Sequence, residues 1–208
     1  MTPLTETSQG SLKCPPIADP FFDKKPPTLW YAGEPSILDG KVLGLLSARK
    51  IEPDLALKTS DLLRQLAPFE GTFISGWHSP LEEEVLRILL SQSAKIIFCL
   101  AKSLNKSTVS TEIEDLVTRG HALLLTHCSP KAKRISRDAS LRRNLLVLGL
   151  SKGLLVLSAP EGSGSFKLAR KAVSVGRPVF CPPHRINDSL LASGALPATL
   201  ENIRKVFQ

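Results

Sequence analysis

The segment best suited to bind an anion is the glycine-rich stretch Glu161-Gly162-Ser163-Gly164-Ser165, which lies between an apolar run and a helical pattern. Its two glycines allow backbone N–H groups to curl around an oxyanion, and the amino end of the following helix adds a favourable dipole. Lys167, Arg170 and Lys171 place positive charge along that helix. Glycine is also common in turns that need only a positive φ. The sequence predicts phosphate contacts from Gly162, Ser163, Gly164 and Lys167.

A second cationic segment is the basic loop at residues 131–137, which is followed by Arg142-Arg143 near the start of an apolar helical pattern. Cations at the amino end of a helix oppose its macrodipole, and such a conflict is typical of places where function overrides stability. We predict that these side chains face a bound polyanion. A solvated loop, neutralised in part by Asp138, explains the pattern equally well. The candidate contacts are Lys133, Arg137, Arg142 and Arg143.

Two further turns are predicted at strand ends, Ser47-Ala48-Arg49 and the segment at residues 75–79. The second is less suited to phosphate, because Ser79 and Glu82 form a capping box that already satisfies the helix, and the acidic residues there would repel an anion. Trp77 and His78 could stack on an exposed base. A turn tryptophan more often packs against its own protein, and we favour that interpretation.

The hydrophobic pattern predicts the elements that position these turns. From residue 29, short runs that are apolar at every position alternate with amphipathic stretches, which indicates strands covered on both faces by helices. We predict an α/β fold with a doubly wound, mostly parallel sheet of the extended Rossmann-like type, in which ligands collect beyond the carboxyl ends of the strands. Residues 1–28 are predicted to be an extended or disordered N-terminal tail, or an extended strap that Phe21-Phe22 pins to the body, and residues 29–208 a single domain. The predicted strands cover residues 42–46, 72–74, 96–100, 122–125, 154–157 and 178–181.

The composition favours a polyanionic partner. The chain has 208 residues and a formal net charge of +8, so nucleic acid is the first candidate and an acidic membrane surface the second. A charge that serves only solubility is the alternative. Four scattered cysteines without a CxxC pair indicate a reducing compartment and neither a disulfide framework nor a zinc site. The sequence has no signal-peptide pattern and no apolar stretch long enough to cross a bilayer, so we expect a cytoplasmic protein.

Several segments, in the same order along residues 27–195, resemble motifs of the DNA-processing protein A (DprA/Smf) family. Residues 43–49 resemble its "IVGSR" turn, residues 74–76 the start of its "SGxAxGID" turn, and residues 140–151 its "FPxRNRxIxGLS" motif. Residues 155–165 resemble its "VVEAxxxSGS" motif, and residues 27–33, 176–180 and 190–195 match further segments. The chain departs from these motifs at Ser47, Ser140, Leu145 and Ser158, and at Pro80, Leu81 and Glu82.

The resemblance implies a non-enzymatic protein that binds single-stranded DNA and hands it to RecA in transformation and recombination, usually as a homodimer. It places strand-binding residues at Arg49 and at the Arg143-Asn144 pair. Ser75 and Gly76, the matching start of the second turn, complete the predicted contacts. The departure at Ser140 removes the aromatic residue of the family motif, and the one at Leu145 removes its second arginine.

Two alternatives remain at this stage. An enzyme of the lysine-decarboxylase-like (LOG) group would hydrolyse nucleoside monophosphates, but Lys167 and Leu168 stand where its catalytic glutamate is expected. A nucleotide sensor would use the same glycine turn to hold one phosphate-bearing ligand. The sequence shows no nucleophile elbow, no paired carboxylates in the turns and no metal-ligand spacing, so we predict a binding protein without a cofactor or metal.

Overall fold

A nine-stranded sheet forms the centre of the computed structural model, which describes residues 9–22, 26–50, 52–66, 69–104, 109–132 and 136–207. The strands are β1 (Gln9–Lys13), β2 (Thr28–Gly33), β3 (Val42–Ser47), β4 (Thr72–Ser75), β5 (Lys95–Leu100), β6 (Ala122–Thr126), β7 (Gly153–Ser158), β8 (Val179–Cys181) and β9 (Leu196–Pro197). Their order is β1-β2-β6-β5-β4-β3-β7-β8-β9. The pairs β1–β2 and β2–β6 are antiparallel and all others are parallel, so the predicted mostly parallel sheet is confirmed.

Helices cover both faces of the sheet. The helices on the first face are α1 (Pro53–Leu66), α2 (Pro80–Ser91), α3 (Thr111–Thr118) and α7 (Leu200–Phe207), which share one apolar cluster. The helices on the second face are α4 (Arg137–Leu150), α5 (Gly164–Ser174) and α6 (Asp188–Ala192), which share another. Because each central strand contributes side chains to both clusters, its interior is a continuous apolar run, and polar residues occur only at its ends. The helices in the described part of the chain are all too short or too polar to span a bilayer.

The six strands predicted from apolar runs are all present, each within one or two residues of its expected bounds. The chain leaves β3 through α1 on one face, and it leaves β7 through α5 on the opposite face. Since β3 and β7 are neighbours, the chain turns to opposite faces of the sheet after two adjacent strands. This is the topological switch point at which open α/β sheets bind their ligands.

The described part of the N-terminal segment packs on the body as a strap and is not a disordered tail. Residues 9–13 form β1, which pairs with β2, and a 3-10 helix (Pro16–Phe21) packs on α4 with Ala18 and Phe21 fully buried. A Cβ at Gly149 would lie 2.7 Å from that of Ala18, so this contact requires a glycine. Arg177, which precedes β8, binds this segment to the rest of the domain: its Nη2 donates to the carbonyl of Ile17 at 3.0 Å. The domain therefore begins before residue 29.

Candidate nucleic-acid interface

The turn between β7 and α5, which the sequence singles out as a candidate anion site, caps the helix that follows it. Ser163 is the N-cap of α5 and accepts the N–H of Phe166 at 3.1 Å, while Ser165 Oγ donates to the carbonyl of Ser158 at 3.0 Å. Gly162 has a φ of +78°, which favours glycine. A Cβ added at Gly164 would meet nothing within 4 Å. The missing side chain at Gly164 therefore leaves open space over the amino end of the helix.

The turn after β3, which carries Arg49, lies against the end of β7. Ala48 N–H donates to the carbonyl of Ser158 at 2.8 Å, and Ser158 Oγ donates to the carbonyl of Lys50 at 3.0 Å. Ser158 stands where the family motif has glutamate, and here it joins the two turns at the switch point. Arg49 is exposed on this turn. The exposed arginine and the glycine turn thus lie on neighbouring strands at the same end of the sheet.

Gly76, after β4, forms a contact surface for the guanidinium group of Arg143. A Cβ at Gly76 would lie 2.6 Å from Arg143 Cζ, so the guanidinium group occupies the space of the missing side chain. Arg143 Nε donates to Asn144 Oδ1 at 2.9 Å, and its Nη2 lies 3.1 Å from His78 Nε2. Only 6% of Arg143 is exposed. Burial lowers the pKa of its guanidinium group.

Glu82 connects the turns after β3 and β4. Its carboxylate accepts the N–H groups of Ser47 at 3.0 Å, His78 at 3.0 Å and Ser79 at 3.2 Å, and it lies 3.1 Å from His78 Nδ1. Burial alone would raise the pKa of Glu82, but the hydrogen bonds from His78 and Ser79 outweigh it, so the pKa lies below its ordinary value. The predicted capping box of Ser79 and Glu82 is confirmed. The bond to Ser47 was not apparent from the sequence.

Trp77 belongs to the core and does not offer a surface for base stacking. It is 8% exposed, and its Nε1 donates to the carbonyl of Ile97 at 3.0 Å. Its φ of +50° is unusual for a bulky residue and indicates that the surrounding contacts hold this turn. The packing interpretation of Trp77 is therefore confirmed, and the stacking hypothesis for it is wrong.

Arg142 and Arg143, adjacent in sequence, have different environments. Arg142 and Arg137 are exposed near the amino end of α4, whereas Arg143 is buried against β4. Arg142 lines a shallow groove with His127, the residue after β6. Burial, with the positive charges of Arg142 and Arg143, lowers the pKa of His127 to about 4. Lys133 lies outside the described residues.

The predicted site residues within the described ranges thus lie along one end of the sheet, which we call the carboxyl edge. It comprises the last residue of β4, the residues that follow β6, β4, β3 and β7, the first two turns of α4 and the first turn of α5. Ser75 is its least accessible member, since it is fully buried and its Oγ donates to the carbonyl of Leu45 at 2.9 Å. Asn144 supports Arg143, and Lys167 is exposed on α5 beside the glycine turn.

The two helical layers differ in charge. Helices α4 and α5 carry six basic residues and one acidic residue, whereas α2 and α3, on the opposite face, carry six acidic residues and one basic residue. A polyanion at the carboxyl edge is therefore attracted toward the α4–α5 side and repelled from the other. The basic residues are Arg137, Arg142, Arg143, Lys167, Arg170 and Lys171.

Sequence reasoning missed a cluster of Glu52, Asp54 and His184, whose side-chain ligand atoms lie within 4.8 Å of one another. His184 Nδ1 accepts the N–H of Ile186 at 3.2 Å, so its proton is on Nε2, which lies 3.0 Å from Asp54 Oδ2. A protonated Nε2 cannot bind a metal ion, and Arg185 already pairs with Glu52. We interpret the cluster as a polar link between α1 and the segment after β8. No local spacing reveals it, because 130 residues separate Asp54 from His184.

The fold and the basic carboxyl edge define a Rossmann-like α/β protein with accessible turns at its switch point. The sequence matches the profile of the DNA recombination-mediator protein A family over residues 13–200, and the chain belongs to this family. A search of curated protein sequences found no significant match.

Solved structures show the same fold. DNA processing protein A (DprA) from Streptococcus pneumoniae has a TM-score of 0.80 at 20% identity, with 99% of this chain and 76% of that chain covered. DNA processing protein A from Helicobacter pylori, whose single-stranded DNA binding mode has been described, has a TM-score of 0.76 at 22% identity, with 96% and 97% covered. The molybdenum cofactor carrier protein of Chlamydomonas reinhardtii is more distant, with a TM-score of 0.52 at 13% identity over 80% of this chain and 97% of that chain.

Proposed function

We propose that this protein binds single-stranded DNA along its carboxyl edge and acts in DNA processing and recombination. The observation that carries the proposal is the common location of Arg49, the Gly76–Arg143 contact and the glycine turn at Gly162. Family membership and the described strand binding of the Helicobacter pylori relative support it. The exposed cations on the α4–α5 side supply the attraction for phosphates.

The contacts divide into two kinds. Arg49, Arg137, Arg142 and Lys167 are exposed and free to follow the phosphates of a flexible strand. The glycine turn offers main-chain donors at the amino end of α5, which do not depend on base identity. Binding of this kind is salt-dependent and tolerant of sequence.

The hydrolase alternative receives no support from the site. Glu161, the acidic residue beside the glycine turn, is exposed and accepts Ser189 Oγ at 3.1 Å. Glu161 lines a shallow surface groove beside α5 together with Lys167 and Arg170, which are suited to binding phosphate but not to serving as a catalytic base. We therefore propose a non-enzymatic role, tested by the absence of free base released from AMP.

We further propose that the protein works in the cytoplasm as a homodimer and delivers the strand to RecA, as the family resemblance implies. Sedimentation of the purified full chain tests the dimer. Capture of purified RecA by the immobilised protein tests the delivery partner, with a bovine serum albumin column as control.

Fluorescence anisotropy with a labelled oligothymidylate tests strand binding. We expect affinity to fall steeply with salt, and Arg49→Ala to weaken binding and reduce the slope of log K against log salt by about 0.7, the value for one single-strand contact. Arg64→Ala is the matched control, because Arg64 is exposed on α1 and pairs only with Asp61 among the described residues. Equal effects of the two variants contradict the proposed interface. Competition by AMP or ATP at equal concentration separates strand binding from nucleotide sensing.

A further inference from the structure

We propose that His78 is a positioning residue for strand binding, which holds Arg143 at the carboxyl edge only while its imidazole is neutral. The inference rests on the proposed function and adds to it a residue that the family motif does not contain, since residues 75–82 carry His78 where "SGxAxGID" has alanine. His78 lies at the surface, with 37% of its side chain exposed.

The proton positions on His78 follow from its partners. Arg143 can only donate, so the Nε2 that lies 3.1 Å from its Nη2 accepts and carries no proton. The carboxylate of Glu82 can only accept, so the Nδ1 that lies 3.1 Å from its Oε2 carries the proton. Both contacts are satisfied by a single species, the neutral imidazole with its proton on Nδ1.

Glu82 keeps this imidazole in place. The carboxylate is 1% exposed and is itself held by the main chain of Ser47 and Ser79. Three groups on three elements therefore form a chain from α2 to α4, in the order Glu82, His78 and Arg143. The low pKa of Glu82 keeps the first of them ionised at neutral pH.

Arg143 has hydrogen-bonding capacity left for a ligand. A guanidinium group carries five N–H bonds. In the described part of the chain two of them are used, one by Asn144 and one by His78. Only 6% of Arg143 is exposed, yet in the described part of the chain its unused donors are not among the buried side-chain atoms that lack a partner, so they reach the surface. A phosphate of the bound strand can accept from these donors, and the close contact with Gly76 holds the guanidinium group beside the turn after β4.

Protonation of His78 removes the acceptor for Arg143 and places a second N–H against it. The groups that face His78 are Glu82 from α2 and Arg143 from α4; beyond Arg143 lie Asn144 of the same helix and Cys99 of β5. Burial raises the pKa of the Cys99 thiol to about 12, and the pKa of His127 is lowered to about 4, so neither changes charge between about pH 5 and 8, the range in which histidines usually switch. His78 is the group in this network whose charge change would turn Arg143 away.

The sign of the pH effect separates positioning from direct contact. If His78 touched the DNA itself, protonation would add a cation to the interface and strengthen binding. If His78 only positions Arg143, protonation of His78 weakens DNA binding instead. We expect oligothymidylate affinity to fall on acidification from about pH 8 to about pH 5.5, and to fall more in wild type than in His78→Gln, which retains an acceptor but does not titrate.

His78→Lys provides the sharper test. It adds a permanent positive charge beside a DNA-binding edge, yet we expect affinity about tenfold below wild type at neutral pH, the scale of one lost charge-assisted contact. His78→Gln should remain near wild type at neutral pH. Tighter binding by His78→Lys, or an unchanged pH profile in His78→Gln, overturns the proposal.

Nuclear magnetic resonance of the free protein keeps this test independent of DNA. Imidazole ¹⁵N signals should show a protonated Nδ1 and an unprotonated Nε2 at neutral pH, and the Arg143 Nε–H signal should differ between wild type and His78→Lys. An Nε2–H tautomer contradicts the inference whether or not the protein binds DNA. If the expected tautomer is found but the protein binds no oligonucleotide, the proposed function is contradicted instead, and with it the role of His78 in strand binding.

Discussion

The carboxylate of Glu82 accepts the main-chain N–H of Ser47 at 3.0 Å, across 35 residues of sequence. One buried side chain on α2 thereby ties the turn that carries Arg49 to the turn that carries Gly76. The family motif has aspartate at this position, and the longer glutamate reaches the turn after β3. The geometry of the carboxyl edge therefore depends on a residue that itself lies too deep to touch a ligand.

Glu82→Gln should destabilise the protein by about 2–3 kcal/mol at neutral pH, because it leaves buried donors with weaker acceptors. Folding lowers the pKa of the wild-type Glu82 carboxyl. The ionised carboxylate therefore stabilises the fold at pH values above the ordinary glutamate pKa of about 4.3, and this stabilisation is lost as the pH falls through the pKa of the folded protein. Urea denaturation at several pH values measures the difference from wild type, which should shrink in acid. Glu83→Gln, at the exposed neighbouring position, is the control and should change little.

Gly76→Ala should lower both strand affinity and stability, the latter by about 1–3 kcal/mol, because its Cβ would overlap the guanidinium group of Arg143. Gly164→Ala is the matched comparison, since its Cβ would meet nothing within 4 Å and its fold should be unaffected. Thermal melting and anisotropy measure the two effects. A Gly76→Ala protein as stable as Gly164→Ala would mean that Arg143 does not occupy the space above Gly76.

Much of the fold could be predicted from the sequence, and the failures have physical reasons. Strands such as β7 stand out because both faces are covered and residues 154–157 are therefore all apolar. β1, with the sequence Gln-Gly-Ser-Leu-Lys, is a polar edge strand that pairs through its backbone and has no such signal. The boundary at residue 28 was misplaced for that reason.

The site was predicted as a set of turns but not as a network. Parallel strands bring their following turns to one edge, so the grouping of Arg49 with the glycine turn follows from topology. The burial of Arg143 beside an exposed Arg142 depends on the rotation of α4 against the sheet, which adjacent arginines do not reveal. The contact between His78 and Arg143 spans 65 residues and could be found only in the tertiary structure.

Arg142→Ala and Arg143→Ala should separate charge from architecture. Arg142 is exposed, so its loss should weaken oligonucleotide binding and reduce the salt slope by about 0.7 while the urea midpoint stays unchanged. Arg143 is buried and hydrogen-bonded, so its loss should lower the urea midpoint as well. Salt-dependent anisotropy and urea denaturation of both variants test this. Identical stability losses would contradict the different environments of the two arginines.

Arg177→Ala should release the N-terminal segment. Its guanidinium group donates to the carbonyls of Ser151 and Ile17 and lies 5.3 Å from the ring centre of Phe21. We expect a loss of about 2 kcal/mol and faster amide exchange in β1. Arg170→Ala, which removes a cation from the exposed side of α5, should leave exchange in β1 at the wild-type rate. Slow exchange of β1 in Arg177→Ala would show that other contacts hold the segment.

The location of the bound strand is the central claim, and amide chemical-shift mapping with an oligothymidylate measures it most directly. The account predicts that the largest changes occur at residues 48–50, 76–78 and 162–165, with smaller ones at the start of α4. Residues 92–95 and His121, which line a cavity at the opposite end of the strands, should be unaffected. Changes concentrated at that opposite end, with none in the three turns, would contradict it.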